Sequence, residues 1–377
     1  MKIIVLGGGL VGGVIARDLA KDFDVTVADA NPKRVEALKK KGLGGIVTDL
    51  SKPENIKEVV KDYDIVIGSL PGFLGYTMLK SVVEAGKNIV DISFTPENVL
   101  QLDSLAKREG VTAVVDMGVA PGISNLIVGY VDSILDKTEN VLIMVGGLPV
   151  KREWPYEYKL VFSPYDTLDE YLRPARLVEC GKSVVKPALS DVELVNLPEV
   201  GTLEAFNTDG LRSLLYTVKA YNMKEKTLRY PGHAEKMRIL RESGFLRKDF
   251  VEVNGVKIRP IDLTAKLLFP LLELKEGEME FTVMRVIVEG EKEGKKMRYT
   301  YDLLDYYDRE KKETSMARTT GYPCAIVARI VARGDYQNPG VNPPEYLGKN
   351  HKIFHEILDE LRKRNVIIKE NVGVIEK

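Results

Sequence analysis

Three glycines near the N-terminus carry the clearest chemical signal in the sequence. Gly7, Gly9 and Gly12 form a Gly-x-Gly-x-x-Gly pattern after the apolar run 3–6 and before the helical pattern 10–21. In this strand–turn–helix context, such glycines permit a tight turn and let the backbone approach a pyrophosphate at the helix N-terminus. We therefore expect a dinucleotide site with contacts from Gly7, Gly9, Leu10, Val11 and Gly12. A glycine-rich turn that binds nothing is the alternative.

An acid ends the second predicted strand, 24–28. Asp29 stands 22 positions after Gly7. A carboxylate there can accept a hydrogen bond from the adenosine ribose 2′-hydroxyl and would repel a 2′-phosphate. The cofactor is therefore predicted to be NAD rather than NADP, although Lys33 and Arg34 follow closely and weaken the preference.

Polar residues also follow the later strands of the first third, at the ends where open parallel sheets bind ligands. Asp49 could face the adenine, and residues 68–72 could run beside the ribose and phosphates or form an ordinary loop of small residues. Residues 91–94 are expected near the nicotinamide. These further cofactor contacts are predicted at Asp49, Ser69, Leu70, Pro71, Asp91, Ser93 and Gly118.

Two segments offer candidates for catalysis and substrate binding. Asp116 ends a predicted strand before a Gly/Pro loop, where it would project into a crevice between domains, or else cap a helix or form a salt bridge. Asn207, Asp209 and Arg212 crowd a turn that opens a predicted helix. They are substrate-binding candidates, although Asp209 could simply cap that helix and Arg212 could be solvated.

A third segment, 226–233, combines a guanidinium with an imidazole. Arg229 offers a planar fork suited to a substrate carboxylate. His233 titrates near neutrality, which suits proton transfer, although a lone histidine is more often structural. Asp116 and His233 are therefore the catalytic candidates, and Arg229 is the first candidate for carboxylate binding.

Composition excludes several classes of protein. The 377 residues include 55 basic and 55 acidic side chains, which gives no reason to expect a nucleic-acid partner. No apolar run reaches the length of a membrane span, and the N-terminus reads as a core strand without a signal peptide. Two cysteines, three histidines and no paired-cysteine motif predict a cytoplasmic protein without a metal site.

Strands and helices alternate through the first third and predict an α/β fold with a doubly wound, Rossmann-type parallel sheet. After about residue 138 the pattern predicts an antiparallel α+β domain, with a helix at 166–178 and hairpins around Asn254-Gly255 and 291–294. Helices are predicted at 314–333 and 350–364. The expected domains are 1–125 plus about 314–365 for NAD, and about 126–313 for substrate, to which 366–377 could also belong.

Four motifs together resemble the saccharopine dehydrogenase family over nearly the whole chain. They are the glycine turn 7–12, Gly-Val-Ala-Pro-Gly at 118–122, Thr-Leu-Arg-Tyr-Pro-Gly at 227–232, and Ser-Met-Ala-Arg-Thr-Thr-Gly-Tyr-Pro at 315–323. The resemblance implies a Rossmann-type domain completed by C-terminal helices, a homodimer, an amino-acid substrate and a substrate-binding role for Thr319.

Departures from the family pattern favour one branch of it. Where this chain has Gly-Val-Ala-Pro-Gly at 118–122, saccharopine reductases have a pattern similar to Gly-Leu-Asp-Pro-Gly, so Ala120 stands in place of their acid. They also usually carry an aromatic residue at the position of His233. The stretch 206–212 and His233 are more similar to lysine 6-dehydrogenases. The resemblance therefore implies NAD-dependent oxidative deamination of the ε-amine of L-lysine. The alternatives are a saccharopine reductase or another carbon–nitrogen reductase of the family, and a non-catalytic NAD-binding or NAD-sensing protein.

Overall fold

The computed structural model describes residues 1–375, so the last two residues of the segment 366–377 lie outside the described residues. The chain divides into two compact units. The first comprises Met1–Asp136, Arg212–Val218 and Ala317–Ile368. The second comprises Lys137–Leu211, Lys219–Met316 and the residues from Lys369 onward.

The first unit is built on a seven-stranded parallel sheet. Its strand order is β17-β6-β5-β4-β1-β2-β3, which contains the 3-2-1-4-5-6 order of dinucleotide-binding folds. The predicted Rossmann-type sheet is confirmed. The strands are β1 (Lys2–Leu6), β2 (Asp24–Asp29), β3 (Gly44–Val47), β4 (Ile65–Gly68), β5 (Asn88–Asp91), β6 (Thr112–Val114) and β17 (Gly340–Asn342).

Helices of the first unit begin where the sequence supplies starting signals. Proline occupies the first turn of the helices that begin at Pro32 and Pro53, where its missing N–H costs little. Asn31 caps the first of these by accepting from the amides of Lys33 and Arg34. The helices are α1 (Leu10–Leu19), α2 (Pro32–Lys39), α3 (Pro53–Val60), α4 (Gly72–Glu84), α5 (Asp103–Arg108), α6 (Ile123–Ile134), α8 (Leu214–Thr217), α11 (Ser315–Ala332, whose first two residues belong to the second unit), α12 (Pro344–Gly348) and α13 (His351–Lys363).

The second unit contains a nine-stranded mixed sheet, most of whose pairings are antiparallel. The long strands β7 (Lys137–Pro149), β15 (Glu280–Lys292) and β16 (Lys295–Tyr306) pair side by side, and β12 (Asn222–Arg229) lies parallel to β7. The other strands are β8 (Ala175–Glu179), β9 (Lys182–Lys186), β10 (Glu193–Leu197), β11 (Gly201–Asn207) and β18 (Ile368–Val374, whose first residue belongs to the first unit). A separate hairpin consists of β13 (Val251–Val253) and β14 (Val256–Ile258), and the helices are α7 (Pro164–Glu170), α9 (His233–Glu242) and α10 (Pro260–Leu272).

Both predicted hairpins are present, but the predicted helix 166–178 is wrong in its second half. The helix α7 ends at Glu170, and Ala175–Glu179 forms strand β8 instead. Pro174 disfavours helical backbone at the residue before it, and alternate residues of β8 are buried. Before α7, Leu160 forms an isolated bridge to Glu273.

No helix within residues 1–375 is long and apolar enough to cross a membrane. Across the same residues, no group of three or more His, Cys, Asp or Glu side chains is arranged to hold a metal ion. Cys180, which is exposed, and Cys324, which is buried, are both free cysteines that form no disulfide bond.

Candidate active site

Backbone contacts close the turn after β1 and leave no room for side chains at two of its glycines. Gly7 has a φ of +107°, and a Cβ there would lie 2.3 Å from the carbonyl oxygen of Ser69. A Cβ on Gly12 would lie 2.0 Å from the carbonyl oxygen of Gly7. A Cβ on Gly9 would meet no atom of the described residues within 4 Å. The turn therefore needs glycine at positions 7 and 12, and it leaves open space beside Gly9 where a pyrophosphate can approach.

The N-terminus of α1 suits an anion. Gly9 is its N-cap residue, no side chain among residues 1–375 caps it, and its first turn has no acidic residue. The backbone N–H groups of Leu10 and Val11 therefore lack helical partners and lie at the positive end of the helix dipole. The residues present fit the phosphates of a nicotinamide dinucleotide.

The carboxylate of Asp29 is held beside this turn. Its Oδ2 accepts from the backbone N–H of Gly8 at 2.7 Å, and its Oδ1 accepts from that of Asn31 at 2.7 Å. Arg34 Nη1 lies 3.7 Å from Oδ2. Each carboxylate oxygen keeps a further lone pair, so the side chain fits the predicted contact with a ribose hydroxyl.

The other predicted cofactor residues occupy strand ends of the same sheet. Ser69 directly follows β4, and its N–H donates to the carbonyl of Leu6. Leu70 packs at the edge of the sheet's apolar core, and Pro71 precedes α4. Asp49 is half-exposed, and hydrogen bonds from Ser51 lower the pKa of its carboxyl.

Asp91 is a buried acid at the end of β5. Its Oδ1 accepts from the N–H of Ser93 at 3.0 Å, and a Cβ on Gly68 would lie 2.2 Å from the same oxygen. Burial raises the pKa of Asp91 to about 7, and the charge of Asp116 acts in the same direction. The carboxyl therefore titrates near neutral pH at the edge where parallel sheets bind ligands.

Asp116 and Arg212 form a buried ion pair. Arg212 Nε donates to Asp116 Oδ2 and Arg212 Nη2 to Oδ1, each at 3.1 Å. Arg212 Nη1 donates to the carbonyl of Thr95, and the guanidinium lies 5.1 Å from the ring centroid of Phe94. The side chains are 2% and 3% exposed, and both residues have positive φ, +53° and +55°. Such strained backbone clusters at functional sites.

The loop after Asp116 is tightly folded. The N–H of Gly118 donates to the carbonyl of Asp116 at 3.0 Å. A Cβ on Gly118 would lie 3.1 Å from the carbonyl oxygen of Pro121, and one on Gly122 would lie 1.9 Å from that of Gly118. Thr319, the predicted substrate contact on α11, is buried in the same unit.

Arg229 is buried at the end of β12 in the second unit. Its Nη2 donates to Glu170 Oε2 at 3.0 Å, its Nη1 to the carbonyl of Leu228 at 3.0 Å, and its guanidinium lies 4.4 Å from the centroid of the Tyr158 ring. Its Nε has no hydrogen-bond partner among the described residues. A buried donor without a partner is costly, so this arginine retains a position for a ligand acceptor.

His233 is the first residue of α9 and is buried. A carbonyl oxygen can only accept, so Nδ1 donates to Tyr156 O at 3.0 Å, and Nε2 accepts from the hydroxyl of Tyr171 at 2.9 Å. Burial, followed by the charge of Arg229, lowers the pKa of His233 to about 3. The imidazole is therefore neutral at physiological pH.

The amide nitrogen of Asn207 and the carboxylate of Asp209 have protein partners, whereas Asn207 Oδ1 has no hydrogen-bond partner among the described residues. Asn207 Nδ2 donates to Ser190 Oγ at 3.1 Å and to an oxygen of Asp191 at 3.0 Å. Asp209 forms a bidentate pair with Arg176, both distances being 2.8 Å, and it does not cap α8. Thus Asp116 and Arg212 meet in the first unit, while Arg229 and His233 share contacts with Tyr158 in the second.

Glu225 is a functional candidate that the sequence reasoning missed. It is buried on β12, where its Oε2 accepts from the hydroxyl of Thr208 at 2.6 Å and from the N–H of Gly210 at 3.1 Å. Burial raises the pKa of Glu225 to about 8. Strand alternation was the available signal, because it places Glu225 on the same face as Arg229.

Comparison with known proteins supports this description. Residues 3–114 match the model of the saccharopine dehydrogenase NADP binding domain, and residues 118–367 match that of the saccharopine dehydrogenase C-terminal domain. The chain is 23% identical to "Saccharopine dehydrogenase [NADP(+), L-glutamate-forming]" of Schizosaccharomyces pombe, with 98% of this chain and 99% of the relative covered. The protein of the same name from Saccharomyces cerevisiae is 24% identical, with 98% of each covered.

Among solved structures, apo histidine-tagged saccharopine dehydrogenase (L-Glu forming) from Saccharomyces cerevisiae has the same fold. The TM-score is 0.81 at 22% identity, with 99% of each chain covered. The two family models together span both the nucleotide turn and the segments that contain Asp116, Arg229 and His233. The chain therefore belongs to the saccharopine dehydrogenase family and is an NAD(P)-binding oxidoreductase.

Proposed function

We propose that the protein is an NAD-dependent dehydrogenase that oxidises the ε-amine of L-lysine to the 6-semialdehyde. The observation that carries this proposal is the buried Arg229, whose Nε has no partner among residues 1–375. Arg212, itself a predicted substrate residue, and Arg176, the partner of Asp209, are each bidentate to an aspartate. An open donor position on this buried guanidinium suits the α-carboxylate of an amino-acid substrate.

The proposed reaction begins with loss of a proton from the substrate and ends with release of ammonia. Lysine binds as an ε-ammonium and must lose one proton before a hydride can leave its ε-carbon. Bound NAD supplies the hydride acceptor. The resulting iminium adds water and releases ammonia, which leaves the semialdehyde, and this can cyclise with its own α-amine by losing water.

The proton acceptor is proposed to be Asp116 rather than His233. A proton on His233 would place a second buried positive charge beside Arg229, and burial already lowers the pKa of this histidine to about 3. Asp116 retains a lone pair on each oxygen after pairing with Arg212. It can therefore accept a hydrogen bond from the substrate ammonium and pass the proton on through water.

An assay of both reaction directions tests this function. The wild-type enzyme is expected to reduce NAD with L-lysine and to do so poorly with 1,5-diaminopentane, which lacks the carboxylate. Formation of reduced cofactor is followed by absorbance. Faster oxidation of reduced cofactor with aminoadipate semialdehyde and glutamate would instead identify a saccharopine reductase. Tight NAD binding without turnover of any amino acid or oxo acid would identify a non-catalytic nucleotide-binding protein.

Replacement of Asp29 tests the cofactor preference. Asp29→Asn keeps an oxygen for the amide of Gly8 but removes the negative charge. We expect the ratio of kcat/KM for NADP to that for NAD to rise about tenfold or more, because two like charges at about 4 Å repel by about 1–4 kcal/mol between water and a protein surface. Glu36→Gln, an exposed change on α2, is the control and should leave the ratio unchanged. An unchanged ratio in Asp29→Asn would contradict the assignment of NAD selectivity to this carboxylate.

A further inference from the structure

Strand β12 presents a row of three buried polar side chains. Glu225, Thr227 and Arg229 are alternate residues, so they lie on one face of the strand. These three residues are 4%, 4% and 2% exposed, respectively. Strand rise places the Cα atoms of the two end residues about 13 Å apart. The row therefore has a carboxyl at one end and a guanidinium at the other.

The carboxyl of Glu225 is held through one oxygen. Thr208 donates its hydroxyl proton to Glu225 Oε2, so its hydroxyl oxygen accepts from Thr227 at 2.8 Å. The amide of Gly210 donates to the same Oε2, and a Cβ on Gly210 would lie 2.4 Å from the carboxyl carbon. Within residues 1–375, Oε1 accepts no hydrogen bond.

Glu225 also lacks the cationic partner that its neighbours have. Asp209 is paired with Arg176, and Glu170 is paired with Arg229. No cationic side chain in the described part of the chain forms an ion pair with Glu225. Burying a carboxylate without a counter-charge is costly, and the nearby acids raise its pKa further beyond the effect of burial. What this site lacks is a positive charge that can donate to Oε1.

We propose that Glu225 binds the α-ammonium group of the amino-acid substrate while Arg229 binds its α-carboxylate. This inference rests on the proposed function. The α-amine is the appropriate partner because it stays charged throughout the reaction. The ε-ammonium must instead lose its proton, and Asp116 is its proposed acceptor, so the charged partner of Glu225 is assigned to the α-position. Glu225 is thus a specificity-determining residue that selects a 2-amino acid over an amine or a simple amino carboxylate.

Glu225→Gln tests the assignment with two substrates. L-Lysine carries the α-amine, and 6-aminohexanoate is the same molecule without it. Glutamine keeps an acceptor for Thr208 and Gly210 but has no charge. We expect the wild-type enzyme to prefer lysine in kcat/KM, and Glu225→Gln to lose about 10- to 100-fold with lysine, mainly through KM, with little change for 6-aminohexanoate. Thr208→Val removes one of the two donors to Oε2 and so weakens the hold on the carboxyl, which should reduce the preference for lysine in the same direction.

The matched control is Glu193→Gln on β10. Its side chain is 54% exposed and paired with Lys226, so the preference for lysine should stay at the wild-type value. Thermal unfolding of each variant checks folding. Equal losses on both substrates, or no loss on lysine, would overturn the role of Glu225. If no turnover of lysine is seen in the wild type, the proposed function fails, and calorimetric lysine binding that is weakened by Glu225→Gln would still support this site. Lysine binding that Glu225→Gln leaves unchanged would overturn it.

Discussion

Gly12→Ala is expected to abolish measurable dinucleotide binding and to destabilise the protein. The new Cβ would lie 2.0 Å from the carbonyl oxygen of Gly7 and 2.9 Å from Ser69 Oγ. The first of these atoms belongs to the backbone and cannot rotate away. Gly7 itself is held by its N–H, which donates to the carbonyl of Ala28 at 2.8 Å. Relief therefore requires the turn to separate from the sheet, at a cost of about 1–3 kcal/mol for an overpacked site.

Gly9→Ala separates binding from folding. The backbone of Gly9, with φ −70° and ψ −165°, suits any residue, and its Cβ would enter space that is empty of atoms of the described chain. We expect wild-type thermal stability but weaker cofactor binding, because the methyl group occupies the approach of the pyrophosphate. Melting without ligand and titration with reduced cofactor measure the two effects. Wild-type affinity in Gly12→Ala, or a lowered melting temperature in Gly9→Ala, would contradict this division of roles.

Local patterns predicted the elements whose signals are local. Asn254-Gly255 and Glu293-Gly294 both have positive φ, as two-residue hairpin turns require, and each joins the predicted strands. Strand β17 was missed because three residues carry no periodicity. It completes the parallel sheet only by pairing with β6, which is a long-range event.

In the candidate site, too, the sequence predicted local contacts but not contacts between residues far apart in the chain. The turn at 7–12 and Asp29 are close in sequence and were predicted together, and the structure joins them through the amide of Gly8. Arg212 was expected to meet substrate, but it is 96 residues from Asp116 and pairs with it. No spacing rule predicts a contact of this kind. Only the fold reveals which arginines already have acidic partners.

Asp116→Ala is expected to cause a large loss of activity. The change leaves the guanidinium of Arg212 buried without its carboxylate, which costs about 3–5 kcal/mol of unfolding free energy. It also removes the proposed proton acceptor, which costs a further factor of about 10²–10⁴ in kcat. Since a destabilised enzyme loses activity for either reason, this variant alone cannot separate the two.

A neutral pair separates them. Asn tolerates the positive φ of position 116, and Asp116→Asn combined with Arg212→Gln removes both charges while keeping a hydrogen-bonding pair. Removing both partners of a buried ion pair is often neutral for stability, so we expect near wild-type melting and still a loss of about 10²-fold or more in kcat. His233→Asn is the comparison, and it should leave the pH profile of kcat/KM unchanged because the imidazole remains neutral above pH about 3. Wild-type turnover by the neutral pair would reduce Asp116 to a structural ion pair. If His233→Asn altered the pH profile of kcat/KM, His233 rather than Asp116 would be the proton acceptor.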